Sequence, residues 1–316
     1  MKLLALKMFP GIALVCSSLS LFALDDAEIA GDAEIAPRVG DLDAKAKTGD
    51  GKDSLALGLR YLKGEGVERD PEEGAKWIRK SVQQQNTEAM VLLGNALCKG
   101  ETWVSRDPTL GVALIKKAAN LGNLDAQFLQ ASLYFTGENV ERDWAKAAEL
   151  FELVLQRCER ADQHSETPPE KIRAMSDACR FFLGGAYRFG QFGLQKDFDK
   201  AGKFLRPLAD SGGRVKSKQA ESGTIQLVEI LLTSGGKAND ALAVKYLKSA
   251  AARGNAGAMR LLGCMTFIGR GVPENRELGR AWIKKASEKG DEIAGDILRE
   301  GSFSLAGGKK YRFYSE

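Results

Sequence analysis

One spacing governs what this chain can fold into. A polar residue suited to capping a helix returns at Asp70, Asp107, Asp143, Asp197, Asn239 and Asn275, at intervals of 37, 36, 54, 42 and 36. Four positions after each stand Gly74, Gly111, Ala147, Ala201, Ala243 and Gly279, all small. Seven and eight after stand the large pairs Trp77-Ile78, Leu114-Ile115, Leu150-Phe151, Phe204-Leu205, Tyr246-Leu247 and Trp282-Ile283. Eleven after stand Ser81, Ala118, Val154, Leu208, Ala250 and Ala286. These offsets share one face of a helix, with a small residue where another backbone comes close and a large pair to fill a core. Glycine follows at Gly122, Gly212, Gly254 and Gly290, where a left-handed residue ends a helix. Pro71 and Pro108 take the first helical position, where proline costs no hydrogen bond.

A second helix precedes each of these. Leu57-Gly58-x-x-Tyr61-x-x-Gly64 returns as Leu93-Gly94-x-x-Leu97-x-x-Gly100, Leu183-Gly184-x-x-Tyr187-x-x-Gly190 and Leu262-Gly263-x-x-Thr266-x-x-Gly269. In the third copy Ala131 replaces the first glycine, before Tyr134 and Gly137, and the fifth copy, around 225–235, is degenerate. Glycine turns such as Gly64-Glu65-Gly66-Val67-Glu68-Arg69-Asp70 join the two helices, and Val67, Val140 and Val272 are placed to plug the gap between them. The module is therefore helix, glycine turn, capped helix, in 36 or 37 residues.

This module resembles the Sel1-like repeat, a relative of the tetratricopeptide repeats, through Leu57, Gly58, Tyr61, Gly64, Gly66, Val67, Asp70, Ala75, Trp77 and Gly254-Asn255. A plain tetratricopeptide array has a period of about 34 and a turn poorer in glycine. The resemblance implies an all-α, right-handed α-solenoid of about six helix-turn-helix repeats with a concave groove. It implies a protein or peptide partner in that groove. First-helix positions outside the core register, Arg60, Lys63, Asn95, Lys99, Gln130, Thr136 and Arg188, are the groove candidates. Some exported members of the family carry disulfides at repeat boundaries. Cys158 and Cys179 flank such a boundary and are the expected pair, closing a loop of about 20 residues worth roughly 3 kcal/mol in the loop-entropy account. Cys98 and Cys264, in distant repeats, read as buried thiols.

The repeats are expected over 54–296, with an insert near 157–173 that contains Pro168-Pro169 and a smaller excess near 212–222. Insertions in solenoids map to surface loops. Upstream, Lys2 and Lys7, an apolar run over 8–24 and Asp25-Asp26 have the order of a secretory signal peptide, expected as 1–23. An uncleaved anchor and a lipoprotein signal modified at Cys16 are the alternatives. A flexible leader and partial capping helix are expected over 24–53. The tail, 297–316, carries Phe303, Tyr311, Phe313 and Tyr314, which either fold back on the last repeat or await a partner. A processed, exported chain, periplasmic or secreted, with no stable membrane span after signal cleavage, is expected from this order of segments, and a monomer is the expected state.

Composition narrows the chemistry. Formal charge is +4, from 46 basic and 42 acidic residues; without Lys2 and Lys7 it is 44 against 42, or +2. That balance lacks the basic stripe of a nucleic-acid binder. One histidine, His164, rules out a multi-histidine metal site, and its place in the polar insert is that of a solvated side chain. No cofactor motif is present; the 35 glycines punctuate helices rather than cradle phosphates. Glu72 and Glu73 lie in a first helical turn, where the macrodipole favours them. Lys116-Lys117 and Lys284-Lys285 lie near helix C-termini, and Trp77 and Trp282 in core register. Ser234-Gly235-Gly236-Lys237 matches the Ser-x-x-Lys of penicillin-binding enzymes and keeps a rival reading open, a cell-envelope hydrolase or penicillin-binding protein. It stands alone, in a glycine turn, so the leading expectation is a non-catalytic scaffold.

Overall fold

The computed structural model describes residues 46, 51–160, 169–190, 194–210, 218–305 and 310–312. Among them the chain forms thirteen helices and one short hairpin. The helices are α1 (Gly51–Lys63), α2 (Pro71–Gln83), α3 (Thr87–Lys99), α4 (Pro108–Asn120), α5 (Leu124–Thr136), α6 (Trp144–Arg160), α7 (Pro169–Phe189), α8 (Phe198–Asp210), α9 (Lys218–Ser234), α10 (Lys237–Ala252), α11 (Ala256–Ile268), α12 (Arg276–Glu288) and α13 (Glu292–Glu300). The strands are β1 (Ser302–Ser304) and β2 (Lys310–Arg312). The described helices fall into two compact units, α1–α6 and α7–α13 with the hairpin.

Within each pair the two backbones meet at small residues. A β-carbon on Gly74 would lie 2.9 Å from the Gly58 carbonyl oxygen, one on Gly111 2.6 Å from that of Gly94, and one on Gly279 2.8 Å from that of Gly263. Only glycine permits that approach. In α7–α8 the space over Gly184 is filled by Leu205 instead.

The turn is closed by one recurring hydrogen bond. The cap residue's N–H donates to the carbonyl of the residue at the Tyr61 position: Asp70 to Tyr61 (2.9 Å), Asp107 to Leu97 (3.0 Å), Asp143 to Tyr134 (3.0 Å), Asp197 to Tyr187 (2.9 Å) and Asn275 to Thr266 (2.9 Å). The side chains of the same residues accept from N–H groups of the following helix: Asp70 from Glu72 and Glu73, Asp107 from Leu110, Asp143 from Lys146, Asp197 from Lys200, Asn275 from Leu278. Such caps contribute about 1 kcal/mol each.

The fifth expected cap is corrected. Asn239 lies inside α10, whose N-cap is Gly236 without a side-chain hydrogen bond. The Asn239 amide donates instead to the Gly235 carbonyl (2.8 Å). The cause is length: α9 and α10 are joined by two residues, Gly235 and Gly236, where the other turns have seven or eight, so no loop remains from which a cap could reach forward.

Successive repeats are joined by a second set of caps. Asn86, Asn123, Asn255 and Asp291 accept from the N–H three residues on. Their own N–H groups donate to the carbonyls of Ser81, Ala118, Ala250 and Ala286, the small residues eleven past the first cap. Gly122, Gly254 and Gly290 take φ of +89°, +95° and +87° at this joint, and Gln85 takes +65° at the same place in the first repeat. Gly212 lies outside the described residues.

The large pairs fill the cores. Ile78, Ile115, Phe151, Leu205, Leu247 and Ile283 are at most 1% exposed. Phe128 meets Phe151 edge-on at 5.6 Å, and Tyr187 stacks on Phe204 at 5.8 Å. Trp77 packs beside Leu57, Tyr61 and Ala46, and Trp282 packs against the second unit's core, both partly buried. Ala46, helical and buried, is the described residue of the expected capping helix.

Two features go beyond the expected array. α13 is a first-type helix of a seventh module, and β1–β2 follows it where a second helix would come. Phe303 pairs with Tyr311 across the hairpin and packs edge-on to Phe267 at 5.7 Å, so this part of the tail folds back on the last repeats. The insert lengthens α6 to Arg160 and starts α7 at Pro169. The expected signal peptide with Cys16, the leader other than Ala46 and 51–53, His164, Phe313 and Tyr314 lie outside the described residues.

Candidate functional site

The first-helix candidates occupy more than one register position. Counted from the glycine of the first helix, Lys63, Lys99 and Thr136 share the fifth position, while Arg60, Asn95, Gln130 and Arg188 take four others. At about 100° per residue these point in different directions. Several are engaged: Lys63 with Glu65 at 3.6 Å, Arg188 with Glu229 at 2.7 Å, and the Thr136 hydroxyl, which donates to the Ser132 carbonyl at 3.0 Å. Lys99 is exposed, and Arg60, Asn95 and Gln130 are half-buried.

A tighter cluster stands in the first unit. The Lys146 ammonium of α6 lies 4.7 Å, and that of Lys116 in α4 5.6 Å, from the ring centroid of Tyr134 in α5. Burial alone would push the phenol up; hydrogen bonds from Lys146 and Lys116, with their charges, outweigh it and hold Tyr134 below its ordinary range. The second unit repeats part of the pattern, with Lys200 5.0 Å from the Tyr187 ring. Lys146 and Lys200 stand three residues after their caps, beside a tyrosine three after the first-helix glycine or its substitute. That register was the signal available in the sequence; reading Lys116 only as a helix-end cation passed it over.

In the second unit an open cleft of about 650 Å³ is lined by Lys237, Asp240, Arg270, Val272 and Tyr311, among others. It lies beside the shortened α9–α10 turn. Arg270 is held by Asp240 (2.8 Å) and donates to the Leu232 carbonyl (2.7 Å). Ser234 ends α9 and Lys237 begins α10, with Gly235 and Gly236 between them at φ +68° and +93°. The two therefore do not share a turn of helix, and Ser234 does not line the cleft. Among the described residues there is no group of acids, cysteines and histidine able to hold a metal, and no helix long and apolar enough to cross a membrane.

Cys158, near the end of α6, and Cys179, in α7, are the residues expected as a bridge, and both are buried. Both side chains are packed as small apolar groups, 7% and 0% exposed. Cys98 and Cys264 are buried thiols as expected, and burial pushes Cys264 up to about 12, far from a reactive thiolate.

The repeat geometry agrees with a family model. The Sel1 repeat matches at 55–86, 87–123, 124–153, 178–213, 231–255 and 256–291. The chain belongs to the Sel1 repeat family. Its Sel1 repeats are also similar to solved structures. One is a protective antigen present in uropathogenic Escherichia coli strains and displaying an SLR fold, at TM-score 0.63 and 26% identity, over 84% of this chain and 52% of that one. Another is a Sel1 repeat protein from Oxalobacter formigenes, at TM-score 0.54 and 25% identity, over 82% of this chain and 68% of that one. An uncharacterized protein of Neisseria meningitidis serogroup B is 26% identical over 156 residues, 49% of this chain and 28% of that relative. The match thus spans about half the E. coli structure and under a third of the Neisseria protein. The fold is an α-solenoid of Sel1 helix pairs.

Proposed function

We propose that this Sel1 repeat protein is an exported, non-catalytic scaffold that holds a protein or peptide segment on its first-type helices. The observation that carries the reading is how the recurring residues are used. Glycines, caps and large pairs are consumed in holding helix to helix, while half-exposed polar and aromatic side chains remain along the first helices. A surface so built offers recognition rather than converging reactive groups. Export rests on Lys2, Lys7, the apolar run and Asp25-Asp26.

Photo-cross-linking from Lys99, Asn95 and Gln130 in cells tests the binding reading: a discrete adduct is expected from at least one position, and none from any would overturn it. Fractionation tests export, with a shortened chain expected outside the cytoplasm and a full-length cytoplasmic chain refuting it. Covalent labelling by a fluorescent penicillin, lost in Ser234→Ala, would replace the scaffold reading with the hydrolase one.

A further inference from the structure

Two ammonium groups converge on one phenol in the first unit. Lys116, Tyr134 and Lys146 come from the successive helices α4, α5 and α6. Among the described residues neither lysine is paired with a carboxylate. Two other cations in this array are neutralised locally: Lys76 by Glu73 at 2.8 Å in the first repeat, and Arg188 by Glu229 beside the equivalent tyrosine of the second unit. Like charges gathered without a counter-charge raise the free energy of a site, and an anion seated between them recovers it. The lysines carry compact ammonium groups with three donors each, and the phenol adds a further hydrogen-bonding oxygen.

We propose that Lys116, Tyr134 and Lys146 form a recognition site for a carboxylate of an acidic peptide segment. This rests on the scaffold reading above and names the chemistry of its partner. An acidic peptide fits better than a nucleic acid because the cations are a local pair: the whole chain carries 46 basic against 42 acidic residues, without the excess a phosphate backbone requires. Trp144 adds an apolar plate close by in sequence. It is 37% exposed, its indole N–H is tied to the Phe135 carbonyl at 3.1 Å, and Arg142 lies 5.4 Å from its ring, so its orientation is fixed before any partner arrives. An acidic segment with an apolar neighbour is the sequence this surface suits.

The test is fluorescence anisotropy of labelled hexaglutamate against the full chain, with hexaglutamine as the uncharged control. Saturable binding of hexaglutamate alone is expected. It weakens as salt rises from about 0.01 to about 0.1 M, which shortens the screening length from about 30 to about 10 Å. Lys116→Gln with Lys146→Gln weakens it about tenfold or more, equivalent to about 1.4 kcal/mol. Lys284→Gln with Lys285→Gln removes the same charge elsewhere and leaves it within about twofold, and Tyr134→Phe causes an intermediate loss at unchanged helical circular dichroism. Equal binding by wild type and the Lys116/Lys146 variant, equal loss in the Lys284/Lys285 variant, or no binding of hexaglutamate by wild type overturns the proposal. So does displacement by a short polyuridine RNA at lower concentration than by unlabelled hexaglutamate. Cross-links that persist from Lys99, Asn95 or Gln130 when this site fails would leave the scaffold standing and remove only its acidic partner.

Discussion

In α11–α12, Gly263 and Gly279 let two backbones touch, a seven-residue turn returns the Asn275 N–H to the Thr266 carbonyl, and the Asn275 side chain caps the second helix. In α9–α10, within the same unit, the turn is two residues long, the cap is missing and Ala243 replaces the glycine. Both pairs persist, since Leu227, Val228, Leu231, Val244 and Leu247 are as buried as their counterparts in α11–α12. The difference teaches what each part of the module does. Apolar burial makes the pair, whereas the glycine contact and the long turn set how closely it closes; where the turn is lost, the 650 Å³ cleft lies open beside it.

The comparison breaks most severely at the glycine contact. Gly279→Ala places a methyl 2.8 Å from the Gly263 carbonyl oxygen and 2.8 Å from the Phe267 nitrogen, and is expected to cost about 2–3 kcal/mol. Gly202→Ala, helical with nothing within 4 Å, gains about 0.5–1 kcal/mol instead. Hydrogen exchange of α11 and α12 amides for the first and of α8 amides for the second, with denaturant midpoints, checks both, and equal effects would show that glycine at 279 is not required for contact.

The caps come next. Asn275→Ala should lose about 1 kcal/mol and Asn239→Ala no more than about 0.5, measured in the same way. Equal losses would give Asn239 a capping role that its present hydrogen bond does not.

At the joint between repeats, Gln85 holds φ +65° where Gly122, Gly254 and Gly290 stand in other repeats. Gln85→Gly relieves a left-handed side chain and should stabilise by about 0.5–1 kcal/mol, read as a raised thermal midpoint.

The smallest effect is spectroscopic. Because Lys146 and Lys116 favour the phenolate, Tyr134 ionises at lower pH in the folded chain than in the unfolded one. Its contribution to stability is therefore present above the unfolded value and disappears as pH falls through the folded one. Ultraviolet titration should show tyrosinate appearing earlier in wild type than in the Lys116→Gln, Lys146→Gln variant. Coincident curves would separate the lysines from the phenol.

Most of the array was legible because its signals are local. Asp70, Asp107, Asp143, Asp197 and Asn275 cap the helices they precede, and the offsets of four, seven, eight and eleven face inward. Asn239 was misread because an expected register was carried across a shortened turn, where helix length follows how few residues are left to bend. The seventh first-type helix is capped by Asp291 in the pattern of Asn86, Asn123 and Asn255, yet has Arg299 at the register where Gly94 and Gly263 stand. The lysine–tyrosine cluster joins residues from three helices and had no single stretch to announce it.

The sequence by itself determined the module: where helices begin and end, which face is apolar, and which positions must be small, because caps, left-handed glycines and helical periodicity act within about one turn. Tertiary structure alone decided which cations find a carboxylate. Arg188 meets Glu229 across helices, while Lys116 and Lys146 gather on Tyr134, and the Cys158 and Cys179 side chains are buried. Those outcomes depend on distances between side chains far apart in the chain, which a repeating local pattern does not encode.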